Sequence, residues 1–101
     1  MSMQLLRKGL AELNVATGDS FALELPETPT TGFRWHLDTR LELVSSEFVS
    51  SAAGQPGAGG VRRFVLKAAS PGRYPLGAVL RRGWLGDSSR VDEFAATVVA
   101  S

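Results

Sequence analysis

The chain has 101 residues, 44% hydrophobic and 21% charged, ordinary values for one soluble globular domain and too few residues for two comfortable ones. Cysteine is absent and histidine occurs once, which excludes a disulfide framework, a cysteine nucleophile and a multi-histidine metal site in this chain. Eleven Lys and Arg against ten Asp and Glu leave a net charge of +1, no nucleic-acid footprint, and no apolar run approaches the roughly 20 residues of a membrane span.

The apolar pattern along the chain has a period of two rather than 3.6. Residues 3–7 suggest a short edge strand and 11–15 another, although Met3 to Leu13 is also compatible with a helix. Phe21, Leu23 and Leu25 then alternate with Ser20, Ala22 and Glu24, and Phe33, Trp35 and Leu37 with Arg34, His36 and Asp38. Residues 41–50 start in the same way with Leu41 and Leu43, then blur. Alternation returns with Phe64, Leu66 and Ala68 in 61–69, with Leu76, Ala78 and Leu80 in 73–81, and with Phe94, Ala96 and Val98 in 92–100. Each reads as a strand with one buried face, and seven or eight short strands at this spacing predict an all-β, antiparallel sandwich.

The connections are of two kinds. Those at 16–19, 38–40 and 70–72 are tight and rich in turn residues, whereas Pro26 to Gly32, Ser51 to Gly60 and Arg82 to about Asp92 are long. If every connection reverses the chain, the three long ones fall at one end of the molecule and the tight turns at 38–40 and 70–72 at the other. That is the layout of a recognition module with one plain end and one loop-decorated end.

Each long loop admits two readings. Thr28-Pro29-Thr30-Thr31-Gly32-Phe33 is stiffened by Pro29 and has φ freedom at Gly32, so it makes either a rigid polar tip or an ordinary turn that leads Phe33 and Trp35 into the core. Gly57-Ala58-Gly59-Gly60 is either a linker-like hairpin loop or a segment that permits close backbone approach; it lacks the Lys-Ser/Thr ending of a phosphate loop. Arg82-Gly83-Trp84 places a tryptophan beyond the last alternating position, either as a contact anchor or folded back on the sandwich end.

Charge is uneven along the chain: residues 61–101 carry seven basic and three acidic groups. The arginine pairs in that half read as solvated strand faces before they read as a site for an acidic partner. His36 and Asp38 share an outward strand face, and no strained nucleophile turn or oxyanion hole accompanies them, so a hydrolase is not expected. Leu5-Leu6 before Arg7-Lys8 is too short for a signal segment. That leaves a cytoplasmic protein, or a periplasmic or secreted one whose signal has been trimmed.

Taken together, the three loops resemble those of the chagasin family of cysteine-protease inhibitors, which is marked by an Asn-Pro-Thr-Thr-Gly-aromatic loop, a Gly-x-Gly-Gly loop and an Arg-Pro-Trp loop in that order. Pro29-Thr30-Thr31-Gly32-Phe33 followed by Trp35 matches the first, Gly57-Ala58-Gly59-Gly60 the second, and Arg82-Gly83-Trp84 the third in two of three positions. Thr28 stands in place of Asn, Gly83 in place of Pro, and Leu85 in place of a frequent acidic residue. The resemblance covers roughly residues 10–100. It implies an immunoglobulin-like sandwich in Greek-key order, residues 1–101 as one inhibitor domain, and a papain-like cysteine protease as partner. It further implies that the Thr30-Thr31-Gly32 loop enters the protease cleft, braced on either side by the Gly57–Gly60 and Arg82–Trp84 loops, with no cofactor and no metal. A monomer is expected. The alternative is an adhesion or assembly module that uses the same loops on another partner.

Overall fold

Two four-stranded sheets take up every strand among the described residues, which are 4–28, 32–50, 59–81 and 92–101 of a computed structural model. In chain order the strands are β1 (Gln4–Arg7), β2 (Glu12–Val15), β3 (Ser20–Glu27), β4 (Arg34–Thr39), β5 (Glu42–Ser50), β6 (Gly60–Lys67), β7 (Gly72–Arg81) and β8 (Asp92–Ala100). One sheet has the order β1-β3-β6-β5 and the other β2-β8-β7-β4. The six strands from β3 onward pair antiparallel, as the reversal count requires. The first two do not: β1 adds parallel to β3, and β2 parallel to β8. Alternation is the same for either pairing direction, so the residue pattern contains no trace of this choice. The segment open to a helical reading resolves into these two edge strands, joined by a turn in which Gly9 holds φ of 98° and the Leu10 amide donates to the Arg7 carbonyl at 3.1 Å.

The core forms where the inward-facing positions of the two sheets meet. Phe21, Leu23 and Leu25 of β3, Phe64 and Leu66 of β6, Trp35 of β4, Leu76 and Ala78 of β7, and Phe94, Ala96 and Val98 of β8 are all buried in one cluster. Each fully buried Leu, Val or Phe in such a cluster contributes about 1.5–3 kcal/mol relative to exposure, before chain entropy is subtracted. The pattern breaks down in β5. Leu41 is buried before the strand begins, while Leu43 inside it is 51% exposed. β5 is an edge strand whose register against β6 shifts between Leu43 and Ser45, and a bulge there offsets the side chains that follow. Such a bulge also disfavours pairing of a second strand on that open edge.

The basic surplus of the second half lies largely against carboxylates. Arg63 donates to Glu24 at 2.7 Å, Lys67 sits 3.2 Å from Glu42, and Arg73 is 3.7 Å from Glu12. At one end of the sandwich the tight connections meet: the Gly18 amide donates to the Ala68 carbonyl at 2.9 Å and the Thr17 amide to the Ser101 carbonyl at 3.1 Å.

Candidate functional site

The opposite end is defined by strand register. Glu27, the last residue of β3, lies opposite Gly60, the first of β6, and Gly60 lies opposite Ser50, the last of β5. In the other sheet Arg34 opens β4 opposite Arg81 at the end of β7, and Asp92 opens β8 opposite Leu80. All three long connections therefore start and finish at this end. The first passes from one sheet to the other, while the second (β5 to β6) and the third (β7 to β8) are hairpins, one on each sheet. The stems of one connection that crosses between the sheets and of one hairpin on each sheet thus share this end.

The stems of the first loop are stitched together. The Trp35 amide donates to Oε1 of Glu27 at 3.1 Å, and its indole Nε1 donates to the Pro26 carbonyl at 2.7 Å. Oε2 of Glu27 accepts from Nε and Nη2 of Arg62 at 3.1 and 2.9 Å. Glu27 is 3% exposed and is the buried charged side chain among the described residues. Gly32, where this loop returns to the described chain, holds φ of 81°, a left-handed conformation that side-chain-bearing residues rarely adopt.

The second loop rejoins the sheet through Gly59 and Gly60. A Cβ on Gly59 would lie 3.1 Å from Oγ1 of Thr28, and one on Gly60 only 2.1 Å from the Val49 carbonyl oxygen. Pro26, Glu27, Thr28, Phe33, Gly59, Gly60 and Leu80 line one shallow depression, so the stems of the first two loops share a surface with the end of β7. At the base of the third loop, Lys8 bridges to Asp92, and its ammonium also lies 5.7 Å from the centroid of the Trp35 ring. The Lys8 hydrogen bond holds the Asp92 carboxyl below its ordinary range.

Of the residues singled out from sequence, Gly32, Phe33, Gly59 and Gly60 belong to this end, and Phe33 and the two glycines border the same depression. Pro29, Thr30, Thr31, Gly57, Ala58, Arg82, Gly83 and Trp84 lie outside the described residues. His36 and Asp38 follow Trp35 along β4, on the outer face of the second sheet, and do not line that depression. His36 is half-buried there, and its Nε2 has no hydrogen-bond partner. Reading the loops alone missed Glu27, Arg62 and Lys8. The first two were within reach, because the parity that buries Phe21, Leu23 and Leu25 continues to Glu27, and that of Phe64 and Leu66 extends back to Arg62.

A sandwich of two four-stranded sheets with these connections is immunoglobulin-like in architecture. Within that class the chain is a member of the chagasin family of peptidase inhibitors: residues 14–98 match the family model described as "Chagasin family peptidase inhibitor I42". It is 26% identical over 99 residues to Chagasin of Trypanosoma cruzi, with 90% of each chain covered. Among solved structures it is similar to the cysteine protease inhibitor EhICP2 of Entamoeba histolytica, with a TM-score of 0.85 at 19% identity over 98% of this chain and 96% of that one. It is also similar to PbICP-C, solved in complex with falcipain-2, with a TM-score of 0.67 at 16% identity over 100% of this chain and 94% of that one. The family consists of inhibitors rather than enzymes, which leaves the His36–Asp38 pair no catalytic role.

Proposed function

We propose that this chain, acting as one monomeric domain over residues 1–101, inhibits papain-like cysteine proteases reversibly by plugging the active-site cleft with its loop end. The observation that carries the proposal is the convergence of the three loop stems at one end, in a chain whose residues 14–98 match a peptidase-inhibitor family. In this reading Thr30, Thr31 and Gly32 approach the protease's catalytic cysteine, while Gly57–Gly60 and Arg82–Trp84 brace the two walls of the cleft. No covalent step is required. A narrow cleft is closed to substrate once a stiff polar wedge occupies it, and the affinity depends on how little that wedge must be ordered on binding. The crossing loop suits the central role because both of its stems are bonded to each other and to the sheet that carries the second loop.

Titration of an active-site-counted papain-like protease with the purified chain tests this reading. Inhibition should saturate at one inhibitor per enzyme and should be recovered by dilution. No inhibition at micromolar protein would contradict it.

A further inference from the structure

We propose that Glu27 is a positioning residue for the central loop: its carboxylate accepts hydrogen bonds from both sheets at once and so fixes the angle at which the loop leaves them. This deepens the inhibitor reading and rests on it. Glu27 ends β3 at the loop end of the sandwich, two residues beyond Leu25 of the apolar cluster. A carboxylate and a guanidinium taken out of water seldom stabilise a fold more than two well-packed apolar side chains would. What the carboxylate does, and an apolar side chain cannot, is accept in two directions. One oxygen takes the Trp35 amide of the second sheet and the other takes the Arg62 fork of the first.

The consequence falls on the loop. Residues 28–34 form a span whose two ends are joined twice, through Glu27 to the Trp35 amide and through the Pro26 carbonyl to the Trp35 indole. Arg62 follows Gly60 by two positions, so the same carboxylate also holds the stem of the second loop. Gly59 lies beside Thr28, so the stems of the first two loops are in contact there. Without the charge the stems can splay, the crossing loop samples more conformations, and the cost of ordering it shifts from folding to binding.

The test is the double variant Glu27→Leu with Arg62→Met, which removes the pair without leaving a lone buried charge. It takes the acceptor from the buried Trp35 amide, so it is expected to melt several degrees below the wild type, while amide exchange at Gly32, Phe33 and Trp35 accelerates and the inhibition constant rises about tenfold, one ordering term's worth of affinity. Unchanged exchange and unchanged inhibition in a folded double variant would overturn the proposal. So would a loss of inhibition that follows the melting temperature with no change in loop exchange. If the double variant does not fold, Glu27→Gln takes its place: it keeps the shape and one acceptor but loses the charge, and the same two readouts decide. The exchange measurement needs no protease, so a wild-type chain that fails to inhibit would remove the inhibitor reading and still leave the clamp to be judged.

Discussion

At the scale of single residues, the loop end depends on a few side chains and one backbone conformation. Gly32 holds φ of 81°, so Gly32→Ala should lower stability by about 1–2 kcal/mol in thermal unfolding, the cost of forcing a Cβ into the left-handed region. An unchanged melting temperature would mean that the loop relaxes freely around this position. Trp84→Ala should act differently, weakening inhibition about 30-fold with the fold intact, as truncating an interface anchor does. Asp92 has a pH signature. Its folded-state value is lowered by Lys8, so its contribution is complete above the ordinary aspartate range and is lost as pH falls through that range to the lowered value. Both partners are well exposed, so the effect is small; Asp92→Asn should lower the neutral plateau slightly, flatten that part of the stability–pH curve and leave the acid limb unchanged. Alternation reveals that Glu27 and Arg62 point inward. It does not reveal that they meet, because β3 and β6 are 32 residues apart between Glu27 and Gly60 and only their register brings them together.

At the scale of elements, the β5–β6 hairpin shows how closely a loop stem can be fitted. A Cβ at residue 60 would sit 2.1 Å from the Val49 carbonyl oxygen and 2.8 Å from Cζ of Phe48. The first of these is backbone and cannot swing away, so Gly60→Ala should force β5 from β6 at the base of the second loop and cost about 1–3 kcal/mol in denaturant unfolding. Wild-type stability would show instead that this edge strand adapts without loss. The strand positions were largely legible: β3, β4, β6, β7 and β8 fall within two residues of where alternation places them. Two features were not. The parallel pairing of β1 and β2 has no signature in a period-two pattern, and the bulge in β5 appears only as the point where the pattern blurs.

At the scale of the whole molecule, the absence of cysteine has a structural counterpart. An immunoglobulin-like sandwich without an inter-sheet disulfide must hold its layers by packing, and Phe21, Trp35 and Phe64 are buried between the sheets in that role. Trp35 does more than fill space, since its two N–H groups join the stems of the crossing loop. The stems of the crossing loop are therefore tied to the packed core through one residue, and well-ordered stems lower the cost of binding for a noncovalent plug. The most direct test of that central claim is an NMR footprint of the labelled chain with a papain-like protease whose catalytic cysteine is replaced by alanine. Shift changes should concentrate at Gly32, Phe33, Gly59, Gly60 and the Arg82–Trp84 segment, and the turns at 16–19 and 68–72 should stay silent. Changes confined to the sheet faces or to that plain end, or no changes with saturating protease, would contradict it.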